Sequence, residues 1–563
     1  MPSVPCPRLV WDNPEALGFV LVKLSGTLGA VGMLTLSPAL LLFARRDGGC
    51  YAWHCGDAAA DDDGACGKRE RGGWYCPASG ADADGPDDDD DECAVAEACR
   101  VYGTSPSNVI PSIAAVAALL CAVAMPVVGA VVDYTSKRQA AVQLTGVIFM
   151  VTNFVQIFLT AETWFLMALI QATVGAVAYL AQVVCNAAYV PELSPEPADI
   201  PKIMGAAKAY EAAVIIPFII VVGGGASMLL GTVHAARVGQ VLILLIGGPM
   251  MAKGCLRLGA RPALHALADG ERLVIVGFKQ VARTSCKLWR EYRTLGGFFL
   301  GYMFWQSATA AVVSLATAYC LDQLEMAMAE FSVAVIIFLI FTVPGAGFSS
   351  ACLERGWLTL KTSVACALAT LSAAAVFAVL AAHQPSQAGM FFAVMPAFGF
   401  GQGWLYPAQR NVMYALIPGG CETEMQGFYE FLGAVLSWAP PFLFIQISDA
   451  TGSMRFAMLS LPVFWLLGMA ILLLLVDVGK GVQDVAATLH LRVQSDHAKG
   501  SPKQEPSNVV EVELAEPNTA VVTPTPQPSA DACAAPADAP APAPAADEGE
   551  AVPEAKDEGL AEA

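Results

Sequence analysis

The chain has 563 residues, 56% of them hydrophobic and 14% charged, with a mean hydropathy of +0.55. That is too apolar for a water-soluble globular domain and ordinary for a protein that crosses a bilayer many times. The formal net charge of −19 sits in two polar stretches: residues 45–100 carry 15 acids and 6 bases, and residues 496–563 carry 14 acids and 3 bases. The rest is close to neutral, so no basic face offers phosphate contacts to a nucleic acid.

Residues 1–17 lack the basic start and small-residue cleavage site of a secretory signal. The first apolar run is therefore expected to act as its own insertion signal. A bilayer core is crossed by about 20 apolar residues of helix. Twelve such runs begin near Gly18, Asn108, Ala140, Trp164, Met204, Arg237, Leu295, Phe331, Thr362, Gly389, Gln426 and Arg455. The fifth and sixth are the least clearly divided. GGGASMLLGTVHAARVG separates them weakly and QVLILLIGGPMMAKG is short, which leaves ten or eleven spans open.

The remaining segments are polar. Residues 45–106 hold Cys50, Cys55, Cys66, Cys76, Cys93 and Cys99, six of the sixteen cysteines, together with the run DDDDDE. The spacing contains no CxxC pair, so a disulfide framework facing an oxidising compartment is expected over a zinc site. The acidic run lacks the spaced carboxylates and turn glycine of a calcium loop and reads as solvated. Residues 253–294 form a basic middle loop. The tail from 478 to 563 is rich in Pro, Ala and acids and is too poor in large apolar residues to fold.

Placing the N-terminus in the cytosol puts Lys137, Arg138, Lys202, Arg355, Lys361, Arg410 and the basic middle loop on the inside. The short outside loops then carry only Arg237 and Arg455, as the positive-inside rule requires. Both termini are then cytosolic and the cysteine-rich loop faces outward. The expected organisation is a first half at 18–252, a cytosolic connector at 253–294 and a second half at 295–477. No GxxxxGK[ST] loop, GxSxG or HExxH is present, and the six histidines show no metal spacing. Neither a nucleotide motor, an enzyme, a cofactor nor a resident metal is expected.

Six spans, a long basic loop and six more spans is the layout of major-facilitator transporters, all-α membrane proteins whose two six-helix halves rock about a shared site. GAVVDYTSKR, residues 129–138, closes the second run with the form G-x-x-x-D-x-x-x-K-R. It resembles the gating loop between the second and third helices of that superfamily. The resemblance assigns gating to Gly129, Asp133, Lys137 and Arg138, with Gly129 expected to admit a neighbouring helix. A looser echo, GAGFSSACLERGWLTLK at 345–361, follows the eighth run. YALIPGGCETEMQGFYEFLGAVLSWAPPFLFIQISDATGSMRFAML, residues 414–459, resembles the autophagy-related vacuolar amino-acid effluxer family within the major facilitators. Ile417, Pro418, Glu422, Glu424, Gly427, Phe428, Tyr429, Ser437, Trp438, Pro440, Thr451, Gly452 and Arg455 carry that resemblance, and CNAAYVPEL at 185–193 extends it. NPEALGFVLVKLSG, KIMGAAKAYEAAV and YMFWQSATAAV depart from the family's pattern in the first, fifth and seventh spans. The fold therefore carries over better than the substrate.

Candidate pathway residues are the polar groups inside the runs, because an ionisable group in a membrane helix is expensive to bury and often functional. Lys23 needs a partner, meets a substrate carboxylate, or snorkels to the surface. Lys208 and Glu211 stand at i,i+3 and can pair. Gln182 and Asn186, with Asn153, Gln156 and Gln171, either bind a zwitterion or join helices. Trp305 and Gln306 are candidates on the seventh run. Glu430 either pairs with Arg410 or acts as a gate carboxylate that exchanges a proton. Pro440 and Pro441 are expected to kink or end the eleventh helix, and GFGQG at 399–403 to let helices pass closely.

The resemblance implies a monomeric secondary transporter, moving amino acids from vacuole or lysosome to cytosol during autophagic recycling. Spans one, four, five, seven, ten and eleven would then wall a midplane cavity. Two alternatives stand: a sugar or organic-anion carrier coupled to protons, and a transport-inactive receptor or scaffold. A plasma-membrane location also stays open.

Overall fold

The computed structural model describes residues 7–47, 105–194, 199–263, 266–267, 270–418 and 422–485. The cysteine-rich loop with its expected disulfides, Glu422 and Glu424 as side chains, and the tail beyond 485 lie outside the described residues or side chains. Among the described residues the regular structure is entirely helical. Eleven helices are long and apolar enough to cross a bilayer: α1 Pro14–Arg45, α2 Pro106–Tyr134, α3 Arg138–Phe158, α4 Trp164–Ala187, α5 Ile203–Leu230, α6 Thr232–Arg257, α7 Arg293–Gln323, α8 Met328–Glu354, α9 Leu360–Ala381, α11 Met425–Thr451 and α12 Met454–Leu475. The twelfth, α10 Ala388–Leu416, has 29 residues, a length of about 43 Å at 1.5 Å per residue. It packs between α8 and α9, so twelve spanning helices stand among the described residues. The helical state follows from the solvent, since hydrocarbon leaves no partner for a backbone polar group outside its own helix.

The same pairings recur in the two halves. Helix α1 packs on α6 as α7 packs on α12; α2 meets α4 as α8 meets α10; α3 meets α4 as α9 meets α10. This is the internal repeat that the two-half sequence layout implies. Between the halves, α2 lies against α7 and α11, and α5 against α8. GFGQG acts as expected: a Cβ on Gly399 or Gly403 would collide with the backbone carbonyl of Phe338 or Thr342 in α8.

Chain breaks have local causes. Asn13 caps α1, its side-chain oxygen accepting from the backbone N–H groups of Glu15 at 3.0 Å and Ala16 at 3.1 Å. Gly231, with φ of +78°, divides α5 from α6 where the sequence pattern was weakest. Helix α11 is interrupted at residues 436–438, between pieces Glu422–Val435 and Ala439–Thr451. Pro440 and Pro441 open the second piece, where a missing N–H is tolerated. Wide π turns occur in α4 (Gln171–Gly175), α5 (Ile220–Ala226), α6 (Ile243–Gly247) and α7 (Tyr319–Gln323), irregularities that concentrate at functional regions of helices.

The segment between α6 and α7 is more than a loop. A 19-residue connector helix, Leu273–Glu291, packs along α2 and touches α7. The end of the bundle beside it carries the α2–α3 and α8–α9 turns with their lysines and arginines, and is called the basic end below.

Candidate functional site

The charged residues buried in the spans converge at the boundary between the halves. In the first half Glu211 of α5 is 3% exposed. Its carboxylate faces Lys23 of α1 at 3.4 Å and Lys208 of its own helix at 2.7 Å, and accepts from the Thr27 hydroxyl at 3.1 Å. One carboxylate thus holds two ammonium groups, so the i,i+3 pairing and the need of Lys23 for a partner are both met. Glu211 is enclosed while Lys208 is half exposed, so one end of the pair is open to a solute.

The second half supplies the opposing wall. Arg410 of α10 is paired with Glu430 of α11 at 3.1 Å, and the Gln426 amide donates to the same carboxylate oxygen at 3.1 Å. The Arg410 guanidinium lies 5.0 Å from the ring centre of Tyr406 and 5.5 Å from that of Tyr429, and Tyr429 stacks on Tyr302 of α7 at 4.0 Å. The ammonium of Lys208 lies 5.4 Å from the same Tyr406 ring. Tyr406 therefore receives one cation from each half, and cation–π attraction strengthens where water is excluded. Three cations against two carboxylates leave the cluster one positive charge in excess.

Counted along the helices at 1.5 Å per residue, the cluster lies about 8–15 Å in from the basic end, nearer that end than the midplane. Gln306 of α7 lies deeper, beside Gly433 of α11, and its amide oxygen is buried with no partner among the described residues.

The two ends of the interface differ. At the end opposite the basic one, Arg45 of α1 pairs with Asp322 of α7, and the Asn108 amide of α2 donates to Asp449 of α11 at 2.7 Å. At the basic end a cavity of about 90 Å³ separates α2 and α4 from α11 and the connector helix, with Gly129, Asp133, Gln280, Thr284, Gln426 and Glu430 among its walls. That is room for about three waters.

The loop at 129–138 is wired into this end. Asp133 accepts from the Gln280 amide of the connector helix at 3.2 Å. Arg138 is 1% exposed, pairs with Glu192 at 3.0 Å and lies 5.6 Å from the Tyr189 ring centre. Arg261 bridges Glu192 at 2.6 Å and Glu15 at 2.7 Å. Burial pulls the Arg261 guanidinium down, but those two carboxylates outweigh it and hold the group above its ordinary value. Burial pushes the Tyr189 phenol up, and that phenol donates to the Gly259 carbonyl at 3.0 Å. Lys137 is exposed. A Cβ on Gly129 would meet nothing within 4 Å. It borders the cavity, not the neighbouring helix that the spacing suggested.

Of the pathway candidates, Lys23 and Glu211 come together, and Glu430 stands across the interface from them. Gln182 and Asn186 donate to the carbonyls of Val22 and Phe19 in α1, at 3.3 Å each. Trp305 is fully enclosed, with its indole N–H on the Gln409 side chain at 2.9 Å. Asn153 and Gln156 bond carbonyls of the first half. Tyr406 was not singled out from the sequence. Its signal was available, since Arg410 follows it by one helical turn in YPAQR and a buried arginine needs a counter-group.

Two six-helix halves with repeated pairings, meeting at a charged interface, have the architecture of major-facilitator transporters. Solved structures agree on the fold. A D-xylose–proton symporter superposes with a TM-score of 0.52 at 10% identity, covering 84% of this chain and 99% of that one. A POT family transporter in complex with a thioalcohol-conjugated peptide gives 0.51 at 12% identity, over 81% and 94%. Residues 28–486 match the family model described as vacuole effluxer Atg22 like, and the chain belongs to that family. An uncharacterised MFS-type transporter, YxiO, from Bacillus subtilis strain 168 is 24% identical over 202 residues, which is 36% of this chain and 45% of that relative. The matched region thus spans less than half the relative's length.

Proposed function

We propose that the chain is a monomeric carrier that moves neutral amino acids from a vacuole or lysosome to the cytosol by alternating access. The observation that carries this reading is the composition of the cluster at the interface. An α-amino acid zwitterion presents a carboxylate and an ammonium group on the same carbon atom. Lys208, half exposed and already shared between Glu211 and the Tyr406 ring, is placed to take the carboxylate. Glu430, facing it from the second half and held by Arg410, is placed to take the ammonium. A sugar has no charge to use either group. Binding would replace the Lys208–Tyr406 contact with two contacts through the solute, one to each half. A solute held by both halves favours their closure over it, which is the differential interaction that any ligand-driven shift requires.

In this reading Lys23 and Thr27 hold Glu211 in place. Gln182, Asn186 and Trp305 shape the walls, and Gln306 offers its free amide oxygen deeper in the path. Gly129, Asp133, Lys137 and Arg138 belong to the gate at the basic end, which the positive-inside rule assigns to the cytosol. The halves 18–252 and 295–477 then rock across the connector 253–294. The family description supports the vacuolar direction. The pairs Arg45–Asp322 and Asn108–Asp449 support reading this as a state closed towards the vacuolar lumen.

The test is counterflow in proteoliposomes, with labelled leucine, xylose and lactate as separate solutes, with and without a pH gradient. Leucine exchange that is absent from protein-free control vesicles and lost in E211Q supports the reading. Exchange of xylose or lactate but not leucine overturns the substrate, and a pH gradient that drives uptake identifies proton coupling.

A further inference from the structure

We propose that the connector helix Leu273–Glu291 is a binding surface for anionic phospholipid, lying in the leaflet at the basic end with its cations on the headgroup phosphates. At about 100° per residue its side chains fall into three arcs, with one exception: Val276, in the first turn, is buried although it shares the angular sector of the cations. Gly277, Gln280, Val281, Thr284 and Leu288 occupy an arc of about 100° that faces the protein. Val274, Ile275, Phe278 and Trp289 occupy a second arc of about 100°, and all four are exposed, from 46% to 60%. Lys279, Arg283, Lys287 and Arg290 occupy a third arc of about 80°. A helix in water has no use for four large exposed apolar side chains. A helix at a bilayer surface has three environments to satisfy, which are protein beside it, acyl chains beneath it and headgroups above it.

The depth of the helix agrees. A Cβ on Gly277 would collide with the carbonyl of Pro126 in α2, eight residues or about 12 Å before that helix ends at Tyr134. Three residues on, Gln280 bonds Asp133, close to that end. The helix therefore runs along the outer turns of a spanning helix, at the level where interfacial helices lie. Trp289, with an apolar body and a polar N–H, is a residue type enriched at that level.

The charge argues for the occupant. Lys279 is paired with exposed Glu271 at 2.9 Å. Arg283, Lys287 and Arg290 have no carboxylate partner among the described residues, and Glu291 is the helix's one acid. Unpaired cations beside an apolar stripe at a membrane surface complement anionic headgroups. The opposite face of the helix forms a wall of the cavity and holds Asp133. Headgroups bound outside thus fix the position of a gate wall inside, and transport is expected to depend on anionic lipid.

The test uses the full-length protein in phosphatidylcholine bilayers with spin-labelled phosphatidylglycerol or phosphatidylcholine, reading immobilised lipid by electron paramagnetic resonance. Wild type should prefer phosphatidylglycerol at least about threefold, since a surface cation adds roughly fivefold to the local attraction. About 1 M salt, with a Debye length of about 3 Å, should abolish the preference. K279Q/R283Q/K287Q/R290Q should lose most of it, and the milder R283Q/R290Q about half, while K253Q/R257Q should keep it. Monodispersity by size exclusion confirms folding, and R283K/R290K must rescue the preference. No preference in wild type, an unchanged preference in the quadruple variant, or equal loss in K253Q/R257Q would overturn the proposal.

Discussion

Glu211 is the residue on which the interface cluster depends. It neutralises Lys23 and Lys208 together, and Glu211→Gln leaves two cations near one another with no counter-charge. Removing one partner of a buried pair costs about 3 kcal/mol, here set at the low end because Lys208 reaches water. E211Q should therefore lower the melting temperature of the purified protein and cut flux at least about tenfold. Unchanged flux and melting would show that the triad is incidental. Tyr406 makes a finer test. Tyr406→Phe keeps the ring that Lys208 and Arg410 share and should hold flux within about threefold. Tyr406→Leu removes two cation–π contacts and should reduce it by about tenfold. Equal loss in both variants would transfer the role to the hydroxyl. The i,i+3 pair and the Arg410–Glu430 pair were legible in the sequence because charge in a membrane helix announces a need for a partner. The partner of Lys23 and the contact of Lys208 with Tyr406 were not, because they depend on which helices face one another across nearly two hundred residues of chain; the local half of the Tyr406 contact, with Arg410 one turn on, could have been read.

At the scale of the helix, close packing decides what the sequence can tolerate. Gly399 and Gly403 let α10 lie directly on the carbonyls of α8. The double variant G399A/G403A must separate the helices, and overpacking of this kind costs about 1–3 kcal/mol. A lower melting temperature, with α-helical content unchanged by circular dichroism, is the expected result. The spans themselves were readable because lipid imposes a length and a composition on each of them. That includes α10, whose start near Gly389 was read within one residue of Ala388. The connector helix was not read. It is amphipathic, not uniformly apolar, and its apolar side chains are divided between protein and the exposed side. Among its basic residues the sequence showed only a charged loop. The break in α11 was half legible: two prolines marked a discontinuity, but the unwound residues 436–438 come before them, at the start of a new piece.

For the whole molecule, two polar ties join the halves at the end opposite the basic one, and the proposed cycle has them open that end when they break. D322N/D449N weakens both, since Arg45 and Asn108 then face neutral partners. The variant should label faster than wild type at that end with a membrane-impermeant reagent. Equal labelling would mean that the ties do not set the state. The most direct measurement of the rocking claim is a pair of interhelical distances in the same protein. Spin labels on genetically encoded side chains at Ser136 and Glu354 report the basic end, and labels at Glu162 and Ser386 report the other; all four positions are exposed. Such labels leave the sixteen native cysteines alone. With a saturating neutral amino acid, pulsed dipolar spectroscopy should show the 162–386 distance lengthening while the 136–354 distance shortens. Two distances that stay fixed, or that change in the same sense while the amino acid binds, would contradict alternating access about this interface.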